Sequence, residues 1–128
     1  MTFDELILYA KKVYSPRQIA SNAWAGSVAA ALLSKKGNVY VGVCIDTCSG
    51  MGFCAEHAAI AAMITAGESK ISKIVAIGKT GVYSPCGRCR EFICQINDDN
   101  INAEVMVADN EIVKMKDLLP YKWEHSTE

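Results

Sequence analysis

Cys54-Ala55-Glu56, answered further along by Ser84-Pro85-Cys86-Gly87-Arg88-Cys89-Arg90, is the pattern on which this chain turns. Cys54, Cys86 and Cys89 bring three soft thiolates toward one ion, a donor set that suits zinc. Three protein ligands leave the fourth tetrahedral position to solvent, as catalytic rather than structural sites do. Glu56 is not needed as a ligand, so its carboxylate is free to move protons beside that open position. The residues point to hydrolysis at a zinc centre with Glu56 as the catalytic group.

Spacing supports this assignment. Cys86 and Cys89 are three apart, so a helix puts both sulfurs on one face of a single turn. Pro85 suits the first helical position, with Ser84 as the cap before it. From Cys54 an alanine-rich run extends to Ala66 and stops at Gly67, a C-terminal cap. All three thiols then sit at helix N-termini, where the dipole favours the thiolate. The helix from Cys54 is apolar nearly all round and is expected to be buried.

Other readings of the same residues remain open. Cys86-x-x-Cys89 also fits a redox pair, which would leave Glu56 without a role. A closed structural site would need a fourth thiolate from Cys44, Cys48 or Cys94, yet such sites draw on two close ligand pairs. Glu56 would complement a helix dipole whatever else it does. Cys94 lies on the second zinc helix and reads as a core thiol. His57 reads as packed or as a subunit contact, turned about 100° per residue away from its neighbours Glu56 and Cys54. Charge balance singles out Arg88 and Arg90, because three thiolates on a divalent ion leave a net negative cluster that hydrogen bonds to sulfur would offset.

The chain has 128 residues and reads as a single domain, 1–128. Its 13 Lys and Arg are scattered and balanced by 14 acids, which argues against a polymeric nucleic-acid partner. No apolar run resembles a signal peptide or a membrane span. Six cysteines, three of them in an open-site metal pattern, fit a reducing cytoplasm better than a disulfide framework.

Thr2 and Glu5 form a capping box for a helix to about Lys12, followed by a loop holding Ser15, Pro16, Ser21 and Asn22. Strands are expected at 27–33 and 39–45 around a Lys35–Asn38 turn, then at 73–78, 103–108 and 111–116. The zinc helices start at Cys54 and Cys86, and a helical turn is expected at 117–119 before Pro120. The order α-β-β-α-β-α-β-β predicts an α/β fold, a mixed five-stranded sheet sandwiched by helices.

This order and these motifs resemble the cytidine deaminase superfamily over nearly the whole chain. Val28–Leu32 is similar to the strand that carries part of the base pocket, and Gly42–Asp46 to the strand end that grips the sugar. The cysteine segments resemble those of free-nucleoside members with three cysteines. Within the superfamily, the Ser84–Arg90 pattern and Leu118-Leu119-Pro120 with its aromatic tail are most similar to the blasticidin S deaminase branch. The resemblance implies Zn2+ as cofactor, deamination of a small cytosine nucleoside to its uracil form with release of ammonia, and a homotetramer. It implies that the Ala55 N–H and the Ser84 carbonyl hold the pyrimidine edge, that Ser27 touches substrate and that Trp123 closes the pocket. Trp123 fits a packing anchor equally well. The chain departs from the family pattern at Cys44-Ile45-Asp46, where Asn-x-Glu is usual, and at Gly26, where an aromatic is usual. Cys44 and Asp46 should therefore grip the sugar differently, and Gly26 should leave room beside it. These departures predict a blasticidin S-like substrate; ordinary cytidine or deoxycytidine deamination and a non-enzymatic zinc-stabilised module are the alternatives.

Overall fold

Residues 1–124 are described by the computed structural model. In chain order the elements are α1 (Phe3–Val13), β1 (Arg17–Ala20), β2 (Ala23–Ser34), β3 (Val39–Thr47), α2 (Ala55–Thr65), β4 (Ile71–Gly78) and β5 (Gly81–Tyr83). They continue as α3 (Gly87–Ile96), a 3-10 turn (Asp98–Asn102), β6 (Glu104–Ala108), β7 (Glu111–Lys114) and α4 (Met115–Leu118).

Alternation along β2 creates the layers. Ala29 and Ala31 face one way and pack with Phe3, Leu6 and Ala10 of α1. Ala30 and Leu32 face the other way and pack with Ala59, Ile60 and Met63 of α2 and Ile93 of α3. Alanine is small enough for both helix layers to approach the central strand closely. The sheet runs β1-β2-β4-β6-β7, with β3 on β2 and β5 on β4. The β4–β6 pairing is parallel and the others are antiparallel, so the sheet is mixed and flanked by helices as expected.

The sheet has seven strands where five are expected. β1 falls in the expected loop because all four of its residues are exposed, so no apolar alternation marks it. It pairs with Ala23–Ala25 of β2 on the edge that β4 occupies further along. β5 is three residues long and pairs back onto β4. The last helix also starts earlier than the expected 117, because Met115 is fully buried and the Lys114 N–H reaches the Asp117 carboxylate at 3.4 Å.

Two contacts place α2 and α3. A Cβ on Gly42 of β3 would lie 2.4 Å from the Ala59 backbone nitrogen, so α2 rests directly on the strand backbone. Buried Asn100 accepts from the Ile71 N–H (2.8 Å) and donates to the carbonyls of Ser69 and Ile93 (both 3.0 Å), tying the end of α3 to the start of β4. No helix among the described residues is long and apolar enough to cross a membrane.

Candidate metal centre

The extended backbone at Cys54 and at Cys86 makes each the N-cap of its helix, α2 and α3. Cys89 is then the third residue of α3, and its sulfur turns back toward Cys86. The expected cap at Ser84 is thus displaced by two residues, and Pro85 precedes the helix rather than opening it. Close packing of α2 and α3 against one face of the sheet brings the two helix starts together.

The sulfurs of Cys54, Cys86 and Cys89 all lie within 4.8 Å of one another, with Cys54–Cys86 at 3.4 Å and Cys86–Cys89 at 3.5 Å. Thiolates about 2.3 Å from a tetrahedral zinc stand about 3.8 Å apart, so this donor set fits the ion. Among the described residues no further cysteine joins the group, which removes the closed four-thiolate reading. Zn2+ is the cofactor the site suits.

The three thiols do not respond alike to their surroundings. Burial raises the Cys54 and Cys89 thiols, and the Glu56 charge pushes Cys89 further the same way. Cys86 goes the other way: burial opposes it, but the N–H of Cys89, the Cys54 thiol and the N–H of Arg88 bring it below the ordinary thiol value. A coordinating divalent ion deprotonates thiols outright, which overrides these preferences. Glu56 is 5 % exposed, and burial raises its carboxyl above the ordinary range.

His57 is the residue whose role was not anticipated. Its Nδ1 lies 3.3 Å from Cys89 Sγ, and its ring stacks on Phe92 with centroids 4.3 Å apart and planes 9° from parallel. Burial and then the Arg88 charge lower its pKa, which favours the neutral imidazole. A thiolate only accepts, so against metal-bound Cys89 the Nδ1 must carry its proton. The expectation from α2 alone, that His57 turns away from Glu56, overlooked the sulfur arriving from α3.

The arginines fall differently from expectation. Arg90 spends its donors on the Pro85 carbonyl (2.8 Å), the Ser84 hydroxyl (3.1 Å) and the Leu118 carbonyl (3.2 Å), not on sulfur. It braces the 84–85 segment that leads into the metal centre. Arg88 is exposed and lines the cleft.

A cleft of about 430 Å3 opens beside the sulfurs. Cys54, Cys86, Ala55, Glu56, Ser84, Ser27, Cys44 and Asp46 line it; Cys89 is buried beside them, and of the substrate candidates Trp123 is the one that lies elsewhere. Trp123 instead lies in a separate groove with Cys94, Gln95 and Lys122, its backbone N–H donating to the Glu91 carboxylate at 3.0 Å. Ala55 opens α2, so its N–H has no intrahelical partner and is available to a ligand.

Cys44 does not present its thiol to the cleft as a free donor. Its sulfur accepts from the Val28 N–H (3.3 Å), touches the Ser27 hydroxyl (3.3 Å) and donates to Asp46 Oδ2 (3.7 Å). Gly26 does not widen the cleft either. It is buried with φ +82°, and a Cβ there would sit 2.1 Å from the Ser15 carbonyl oxygen. The main chain, not a substrate, occupies that space. Phe53 and Tyr83 supply aromatic walls that the motif reading did not single out.

With this geometry the comparisons with known proteins agree. A model of the cytidine and deoxycytidylate deaminase zinc-binding region matches residues 4–105. The cytidine deaminase of Sporosarcina psychrophila is 30% identical over 97 residues, 74% of this chain and 70% of that protein. A probable cytidine deaminase of Dictyostelium discoideum is 32% identical over 74 residues, 56% of this chain and 50% of its own. The cytidine deaminase of Mycobacterium tuberculosis shares the fold, with a TM-score of 0.80 at 23% identity over 98% of this chain and 99% of that one. That of Burkholderia pseudomallei gives 0.78 at 26% identity, covering 96% and 100%. The motif, the three-sulfur cluster and the match over most of the chain place this protein in the cytidine and deoxycytidylate deaminase zinc-binding family.

Proposed function

We propose that this protein is an aminohydrolase that converts a cytosine nucleoside to its uracil form and releases ammonia, with Glu56 as the catalytic acid and base. The observation that carries this is the buried Glu56 carboxylate in the same cleft as three convergent sulfurs. Zinc held there supplies a hydrolytic water at neutral pH. Glu56 takes a proton from that water and delivers it to N3, which makes C4 electrophilic. After the hydroxide adds at C4, Glu56 takes the remaining proton from the new C4 hydroxyl and passes it to the exocyclic nitrogen; the C4–N bond breaks, the C4 carbonyl forms and ammonia leaves. The Ala55 N–H and the Ser84 carbonyl orient the pyrimidine edge, and Arg90 keeps Ser84 in place. Ser27 and Asp46 meet the sugar, and Cys44 holds both.

Cytidine, with deoxycytidine beside it, is supported at least as well as any other substrate, because the relatives carry the name cytidine deaminase. Blasticidin S is the second reading. The bound Cys44 thiol and the short Asp46 side chain still favour it, whereas the argument from Gly26 no longer does. Exposed Ile19, Trp24, Met51 and Ile64 support a homo-oligomer, read here as a tetramer. Six free thiols support a reducing cytoplasmic setting. Ammonia release from cytidine, deoxycytidine and blasticidin S, measured as kcat/KM on one zinc-loaded preparation, tests the function. A clear blasticidin S preference selects the second reading, and no release from any of the three leaves a non-enzymatic zinc module.

A further inference from the structure

We propose that Phe53 is the ring on which the substrate's pyrimidine stacks, a specificity contact set immediately before the metal ligand Cys54. The proposal rests on the deaminase reading above. Phe53 lines the cleft together with Cys54, Ala55 and Glu56. It is 38% exposed, belongs to neither core cluster and has no stacked ring among the described residues. Core packing therefore does not account for the ring.

Its backbone is nevertheless held rigidly. The Phe53 N–H donates to the Ile45 carbonyl (2.9 Å), and the Ile45 N–H donates back to Phe53 (3.0 Å). At Gly52 a Cβ would fall 1.8 Å from the Ile45 carbonyl oxygen, so this segment lies flush on β3. On its other side Cys54 begins α2 and binds the metal. An apolar side chain whose backbone is held at both flanks and which remains more than a third exposed in the cleft is pre-organised for a flat partner. The other ring in the cleft is committed elsewhere: Tyr83 lies against Gly78, where a Cβ would meet its ring at 2.1 Å, and its hydroxyl accepts from Thr80 at 3.3 Å. Phe53 is in neither core cluster and is the more exposed of these two cleft rings.

Uridine and 5,6-dihydrouridine separate stacking from every other contact. They share the sugar and the hydrogen-bonding edge, but only uridine has a planar aromatic ring. Removing an aromatic partner from a stacked base typically weakens binding about 5–150-fold. Zinc-loaded wild type is expected to bind uridine at least about 5-fold tighter than dihydrouridine, measured as inhibition constants against deamination. F53L keeps apolar bulk, retains zinc and brings that ratio toward one; F53Y keeps the ratio. An F53L protein that preserves the planar preference, or that loses zinc, overturns the proposal, as does F53Y losing the preference with turnover intact. Wild type that deaminates a cytosine nucleoside but does not distinguish the two inhibitors removes Phe53 while leaving the function standing. Wild type that deaminates none removes the function itself.

Discussion

Replacing His57 by phenylalanine isolates the contact of its imidazole with Cys89, one of the three sulfurs suited to hold the metal. The new ring keeps the parallel stack on Phe92, now 4.3 Å between centroids, so packing changes little. What is lost is the Nδ1–H contact to Cys89 Sγ at 3.3 Å. Three thiolates on a divalent ion carry a net negative charge, and a donor to one of them draws electron density from the metal. Loss of such a partner typically costs about 10–100-fold in metal affinity, or about 1.4–2.7 kcal/mol. That agrees with the about 1.5–3 kcal/mol of a hydrogen bond to a charged group. His57 is only half-buried, which places the expectation near the lower bound. Competition against a chelator of known affinity, at fixed pH, reads the change directly. Cobalt substitution adds an independent readout, because a thiolate freed of its donor shifts the sulfur-to-metal absorption to lower energy. H57Q, which restores a donor, should recover part of the affinity. Unchanged zinc affinity and an unmoved cobalt band in H57F would refute the reasoning.

Two more substitutions probe the chemistry and its support. E56Q should retain zinc and the fold but lose turnover by about 10²–10⁴-fold, the usual worth of general acid–base catalysis; zinc content and ammonia release check it, and near-normal turnover with zinc bound would contradict the role. G42A places a methyl 2.4 Å from the Ala59 nitrogen and 2.5 Å from the Ala58 Cβ, so α2 must retreat from β3. Overpacking of this kind costs about 1–3 kcal/mol, measurable by urea denaturation. Because Cys54 caps α2, zinc occupancy should fall with it, and full occupancy at unchanged stability would show that α2 does not depend on this contact.

The chemistry was legible in the sequence because it is local. Thiolate softness belongs to the residue type, and the Cys86–Cys89 spacing spans one helical turn; the alanine run after Cys54 forms the expected helix, but it is not buried all round, because Ala61, Ala62 and Ile64 stay exposed. The layer order was legible for the same reason, since α1 and β2–β4 carry strong periodic patterns. Short exposed β1 and three-residue β5 carry none, and they appear only because a long β2 and β4 offer edges to pair with. Around the site the tertiary structure decided which neighbour arrives. Arg90 was a candidate sulfur donor by position, but its guanidinium meets the carbonyls of Pro85 and Leu118 first. His57 turns away from Glu56 along its own helix and meets Cys89 because α3 packs against α2. Gly26 looked like an opening and is filled by the Ser15 carbonyl, a contact from another segment of the chain. Residue type and spacing within a turn set which atoms can bind and transfer protons; only the packing of separate elements sets which of those atoms lie within a hydrogen bond of one another.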